Sequence, residues 1–369
     1  MPKRVCPHCG HPFEIPDSRV GAAHPCPNCG ENILKPRQVR DPNEKMRLTV
    51  TPPPEEIFQA VRLAEIARQI SANIERVIIG KPEQVRLAVV GLFAEGHILF
   101  EDVPGVAKTM LSRAMAQSVG CTFKRIQCTP DLQPEHVVGD LILDPTTGRK
   151  DFLFVPLFSQ MVLVDEINRA SPRTQSALLE AMGEGMVTMD RVSYRLEKPF
   201  MVMATQNPIE QEGTFRLPEA QMDRFLLRLS LGYPSAAEEK EMCQRVQQQH
   251  PIETLAAVTT ADQVLKCQRG VREIQVGSGV CDYLVELTRA TREHPALRLG
   301  ASPRGSLGLF HAAQALAAIQ GHSQVTTAQV KILAAPVLAH RLLLRREALQ
   351  DYPDGAAVIQ EIVARLATA

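Results

Sequence analysis

Ile98-Leu99-Phe100-Glu101-Asp102-Val103-Pro104-Gly105-Val106-Ala107-Lys108-Thr109-Met110-Leu111 is the stretch that decides the fold. A short apolar run breaks at Pro-Gly, and Lys-Thr then opens a segment with helical spacing. A phosphate cradle needs that order: a buried strand, a turn whose backbone N–H groups converge, a lysine, and a hydroxyl at a helix N-terminus. Val103, Pro104, Gly105, Val106 and Ala107 supply the turn. Lys108 would hold the β- and γ-phosphates, and Thr109, followed by Met110, would ligate Mg²⁺. Asp102 and Ala107 stand at the two glycine positions of G-x-x-x-x-G-K-[ST], so the match is incomplete. An ordinary strand-turn-helix with a surface lysine is the competing reading.

Downstream, Met161-Val162-Leu163-Val164-Asp165-Glu166 is a second apolar run, ending in paired carboxylates as a buried parallel strand would. Asp165 there can hold Mg²⁺ through water, and Glu166 can polarise an attacking water. The competing reading is a solvated strand end. Phe200 to Ala204 and Leu226 to Leu229 are two further apolar runs, and the segments between the runs have helical spacing. Apolar strands alternating with helices indicate an α/β fold, a parallel sheet covered on both faces.

Upstream, residues 55–76 have the spacing of an amphipathic helix, followed by Val77-Ile78-Ile79-Gly80 and a second helix to residue 95. A hairpin is expected within 129–160, and a helix through 175–182 capped by Gly183. Beyond Tyr233-Pro234 the apolar strands stop. Helical periodicity in 236–249, 279–292, 303–320, 327–346 and 355–367 describes a small all-helical domain.

The first residues form a different unit. Cys6-Pro7-His8-Cys9-Gly10 and Cys26-Pro27-Asn28-Cys29-Gly30 are two C-P-x-C-G knuckles separated by sixteen residues. Four thiolates so placed can converge on one tetrahedral, structural Zn²⁺, which would supply much of the folding energy of so short a segment. The segment is mildly basic, but Phe13 is its single aromatic for base stacking, so a docking or structural role is favoured over nucleic-acid recognition through the ribbon. Residues 35–55 are rich in proline and charge and read as an extended linker. The domain division is then 1–34 zinc ribbon, 35–55 linker, 56–233 α/β core and 234–369 helical domain.

Lysines plus arginines equal aspartates plus glutamates, 41 against 41, so no global field favours nucleic acid or an anionic membrane. Five of the nine cysteines lie outside the knuckles, scattered singly, which suits a reducing compartment. Without an apolar leader or a run of about eighteen apolar residues, the expectation is a soluble, cytoplasmic protein with no membrane span.

These residues resemble a specific family. Glu101 to Thr109, Ile126-Gln127-Cys128-Thr129-Pro130-Asp131-Leu132, Val164-Asp165-Glu166-Ile167-Asn168-Arg169-Ala170, Ala204 to Thr214, Leu217 to Phe225 and Gly300-Ala301-Ser302-Pro303-Arg304 are similar, in order, to the blocks of the MoxR-family AAA+ ATPases. The resemblance covers residues 56–365 and implies a P-loop AAA+ sheet with a helical C-terminal lid. It implies that Lys108 and Thr109 bind ATP and Mg²⁺, that Asp165 organises the metal and that Glu166 is the water-activating base. It places Asn207 as the sensor between γ-phosphate and water, Arg224 as the arginine finger of a neighbouring subunit in a hexameric ring, and Arg304 as the second sensor. Arg169 is another candidate for the role in trans. Ile78, Ile79 and Gly80 match the adenine-contacting segment, and the 129–160 hairpin a partner-facing lever. Family members act like chaperones on protein clients, often with von Willebrand factor A domains. A weakly hydrolysing nucleotide-dependent scaffold and a zinc-ribbon regulator that binds nucleic acid are the alternatives.

Overall fold

Four apolar runs, too apolar to face water on either side, and one mixed edge strand whose Lys124, Arg125 and Gln127 are exposed build the centre of the molecule. The computed structural model describes residues 60–143, 150–153, 156–189, 192–207, 213–247 and 249–367, together with the short strands Lys3–Val5, Pro12–Glu14, His24–Pro25 and Asn32–Ile33. The expected zinc ligands Cys6, Cys9, Cys26 and Cys29 and the linker 35–55 lie outside the described residues.

Helix α1 (Ala60–Glu75) buries Leu63, Ala67, Ile70 and Ile74 completely, the four positions its helical spacing places on one face. Helix α2 (Pro82–Phe93), with proline at its first turn, leads into β1 (Ile98–Glu101). Then follow α3 (Lys108–Ser118), β2 (Phe123–Gln127), β3 (Met161–Asp165), α4 (Pro172–Glu184), β4 (Met201–Gln206) and β5 (Leu227–Leu229). The strands form one parallel sheet in the order β5-β1-β4-β3-β2. Its register aligns Gln206 with Glu101 and Gln127 with Asp165, so their polar ends share the carboxyl edge. Ile98, Phe100, Leu163 and Met203 belong to one apolar cluster and Leu99, Val162, Val164 and Ala204 to another, as alternate residues of strands covered on both faces would. Complete burial of such side chains stabilises the sheet by roughly 1.5–3 kcal/mol each.

The C-terminal region adds the helices α5 (Ala236–Arg245), α6 (Ala261–Val271), α7 (Ser278–Glu293), α8 (Pro303–Ile319), α9 (Thr327–Leu338) and α10 (Gly355–Ala367). The cores of α6 to α10 are continuous with that of α1 and α2 through Leu309, Ala313 and Leu316 of α8, while α5 buries none of its residues.

Four features differ from the sequence-based expectation. α4 runs through Gly183 and ends at Gly185, whose φ of 62° suits the left-handed cap and whose N–H donates to Ala181 O. The expected helix over 327–346 stops at Leu338, and Leu343–Leu344 instead pairs antiparallel with Leu297–Leu299, so the C-terminal region is not purely helical. α6 was not anticipated, although Thr260 and Gln263 form a capping box at its start. The hairpin expected in 129–160 is the pair Asp140–Leu143 and Lys150–Leu153, and a second one, Met186–Met189 with Val192–Arg195, follows α4.

Candidate active site

The turn between β1 and α3 has two left-handed residues, Gly105 at φ 84° and Ala107 at φ 64°. Ala107 is the residue before the first turn of α3, and a non-glycine there costs about 1–2 kcal/mol. Such local strain, held by the surrounding fold, aims successive N–H groups into one concavity. At Gly105 an added Cβ would meet nothing within 4 Å, so glycine serves the backbone angle rather than the space.

Asp102, at the first glycine position of the motif, turns its carboxylate away from that concavity. Its Oδ2 accepts from Leu231 N (2.6 Å), Gly232 N (2.7 Å) and Ser230 Oγ (3.2 Å), and its Oδ1 from Val103 N (2.9 Å). The aspartate fastens the turn to the segment after β5. Lys108 Nζ donates to Asp102 O (2.8 Å) and Val103 O (3.1 Å). Burial pulls the Lys108 pKa below its usual value, opposed by the charges of Asp102, Asp165 and Glu166.

At the end of β3, Glu166 is also left-handed, at φ 55°. Its N–H donates to Thr205 Oγ1 (2.8 Å), and that hydroxyl donates to Asp165 Oδ1 (2.5 Å), so one threonine of β4 orients both acidic residues. Asp165 Oδ2 accepts from Arg125 Nε (3.1 Å) and a terminal nitrogen (2.6 Å). Glu166 Oε2 accepts from Gln127 Nε2 (3.1 Å) and Arg169 (3.1 Å). Thr205, Arg125 and Gln127 had no assigned role in the sequence reading. Their period-2 position on strands flanking β3 was the available signal.

Residues 104–110, Asp165, Glu166, Thr205 and Asn207 line one cleft of about 310 Å³ at the carboxyl end of the sheet, where ligands of parallel α/β folds bind. Val103 packs beside it against the core. Asn207 is 8 % exposed, and its carbonyl accepts from Asn168 Nδ2 (3.4 Å). The Thr109 hydroxyl and the two carboxylates are oxygen donors of the kind Mg²⁺ takes.

The other expected site residues lie elsewhere. Ile78, Ile79 and Gly80 do not line this cleft; Gly80, at φ 70°, abuts Glu238, and the neighbouring Lys81 Nζ donates to Tyr233 O (3.0 Å). Arg224 does not reach it either, and donates to Leu179 O of α4 (2.5 Å). Arg304 is exposed in the first turn of α8, which Ser302 caps by accepting from Arg304 N (3.1 Å). Asp223 does not pair with the adjacent Arg224. It pairs with Arg341 and accepts from Ser302 Oγ (2.8 Å). Arg169 pairs with Glu166 of its own chain.

Two family models match the chain: the ATPase family associated with various cellular activities (AAA) over residues 97–227, and the AAA lid domain over residues 289–362. The uncharacterized protein YeaC of Bacillus subtilis is 46 % identical over 291 residues, covering 79 % of this chain and 91 % of that one. The chaperone MoxR1 of Mycobacterium tuberculosis is 40 % identical over 304 residues, covering 80 % of each. A crystal structure of a candidate ATPase from Cytophaga hutchinsonii superposes with a TM-score of 0.77 at 32 % identity, covering 83 % of this chain and 95 % of that one.

Proposed function

The chain belongs to the MoxR family of AAA+ ATPases, and from that premise we propose that it binds Mg²⁺-ATP in the cleft above β1, β3 and β4 and hydrolyses it to remodel or activate protein clients. The observation that supports this best is the convergence, on one cleft, of a strained turn, Lys108 and Thr109 at a helix N-terminus, and the Asp165-Glu166 pair. Gly105, Ala107 and their neighbours present N–H donors to phosphate, and Lys108 exchanges its two carbonyl partners for β- and γ-oxygens. Thr109 and Asp165 would hold Mg²⁺, which neutralises developing phosphate charge when bound. Glu166 takes a proton from the attacking water, and Asn207 orients that water against the γ-phosphate.

In a ring, proposed to be hexameric, Arg224 reaches the nucleotide of the neighbouring subunit, and Arg304 reports the position of the helical domain. Ile78, Ile79 and Gly80 are proposed to contact the adenine. The zinc ribbon is read as a docking module for the client, and von Willebrand factor A proteins as the client class. Cytoplasmic residence fits the free Cys121, Cys128, Cys243, Cys267 and Cys281. Among the described residues no helix is long and apolar enough to cross a membrane.

The test is phosphate release by the purified, sized assembly, wild type against Glu166→Gln. Loss of a general base costs about 10²–10⁴-fold. Equal, background-level turnover of the two would favour the nucleotide-dependent scaffold. A zinc assay on the full chain with Cys26→Ser tests the ribbon: about one metal per wild-type chain and none in the variant is expected.

A further inference from the structure

The segment that contains Arg224 is gripped from the C-terminal helical region rather than from the cleft. Arg341 follows α9, and its side chain is only 4 % exposed. Its Nε donates to Val337 O (2.8 Å), which pins the guanidinium to the last turn of α9. One terminal nitrogen donates to Asp223 O (3.1 Å) and to the Asp223 carboxylate, and the other to Phe225 O (2.7 Å). A single planar fork thus holds the peptide carbonyls on both sides of Arg224. His340 Nε2 donates to the same Phe225 carbonyl (2.9 Å), and Ser302 Oγ to the other Asp223 carboxylate oxygen (2.8 Å). The Arg224 side chain lies across Gly183, where a Cβ would fall 2.0 Å from its terminal nitrogen.

We propose that Arg341 is a positioning residue for Arg224, so that the helical domain of one subunit sets how its arginine is presented to the ATP site of the next. The inference rests on the reading of Arg224 as acting in trans. A guanidinium is needed because five fixed donors span acceptors that no ammonium can bridge at once. Displacing a reacting group by about 1 Å costs up to about a hundredfold in rate, which sets the expected size of the effect.

The experiment uses full-length assembled protein with Arg341→Lys, which keeps the buried charge beside Asp223 but loses the fork. Turnover is expected to fall about tenfold with KM for ATP and affinity for a non-hydrolysable ATP analogue unchanged. Mixing with Lys108→Ala subunits, which supply intact arginines and cannot hydrolyse, should restore at least about fivefold of that loss. Mixing with Arg224→Ala subunits should restore none. Ser302→Ala, which loosens Asp223 alone, should lose about threefold with the same mixing pattern, and serves if Arg341→Lys does not fold. Full turnover of the variant tested, or a loss that Lys108→Ala subunits do not repair, overturns the proposal. Arg224→Ala at wild-type turnover refutes the trans reading itself. Arg224→Ala that is inactive and rescued in mixtures, beside an unaffected Arg341→Lys, refutes only the positioning role.

Discussion

Arg125–Asp165 at the cleft and Arg341–Asp223 behind it are the same chemical pair, with carboxylates buried alike at 14 % and 16 % exposed and arginines in opposite surroundings. The Arg125 side chain is 48 % exposed and the Arg341 side chain 4 %. An exposed pair contributes about 0–1 kcal/mol and its partners can be exchanged, whereas breaking a buried one leaves an uncompensated charge. On the proposed function the cleft needs the first kind, because Asp165 and Glu166 would have to release Arg125 and Gln127 to take a cation and a phosphate. The joint between sheet and C-terminal helices needs the second, because a hinge element must keep one geometry. Opposed carboxylates and cations therefore do not by themselves distinguish a site from a strut. What distinguishes them is whether water can replace the partner.

The largest expected effect tests that contrast directly. Asp223→Ala should lower the unfolding free energy by about 3–5 kcal/mol, because it strands the Arg341 guanidinium, while Arg125→Ala should change it by less than about 1 kcal/mol. Urea unfolding of the two variants reads both numbers. Equal losses would remove the difference between cleft and joint. Next in size, Lys108→Ala should cut ATP turnover by about a hundredfold or more while shifting the denaturation midpoint little, since the two carbonyls Lys108 binds, Asp102 O and Val103 O, belong to its own turn rather than to a distant part of the fold. A large stability loss instead would make this lysine a strut like Arg341.

The same contrast explains what could be read from the sequence. The cleft was legible because its polar residues sit at the ends of apolar runs: Asp165 and Glu166 close β3, Asn207 follows β4, and Lys108 opens α3. Local order along the chain places them. The joint was not legible, because Arg341 meets Asp223 and Phe225 across a long sequence separation. Gly183 shows the cost of that blindness. Locally it resembles a helix stop, yet it lies inside α4 because the Arg224 side chain occupies the space where a Cβ would be. Asp102 was the reverse case, a departure from the phosphate-loop pattern whose purpose is a bracket to Leu231 and Gly232 that lies outside any short motif.

A smaller effect follows from the buried histidines on the interior side of the contrast. His97 accepts from Val202 N through Nδ1 (3.0 Å) and faces Met182 O through Nε2 (3.1 Å), so it is held neutral, and burial pushes its pKa down to about 4. The unfolded chain binds this proton near the ordinary value of 6.5, and the folded chain does not. The stabilisation is therefore complete above about pH 6.5 and declines as pH falls toward 4, by about 2 kcal/mol at pH 5. His340, pushed down to about 3 by burial and by Arg341, acts with the same sign. His97→Gln keeps a donor and an acceptor but cannot protonate, so it should flatten the acid limb of stability between pH 7 and 5 by about 2 kcal/mol. An unchanged limb would mean that the proton load falls on other groups.

The smallest effect concerns α4, which joins the two regions. Its first turn lies beside the Glu166-Arg169 segment, and its last turns receive Arg224 through Leu179 O and Gly183. Ser171 Oγ caps the start by accepting from Thr174 N (3.3 Å), and removal of such a cap costs about 1 kcal/mol. In Ser171→Ala, amide exchange over residues 173–176 should quicken about fivefold, the equivalent of that energy. Residues 181–184 should keep the wild-type rate, because Arg224 and the left-handed Gly185 hold that end independently. Equal quickening at both ends would make α4 one cooperative rod, through which nucleotide at the cleft could move Arg224 without the C-terminal helices. That outcome would dissolve the division between an exchangeable cleft and a fixed joint, since a single helix would then report from one to the other.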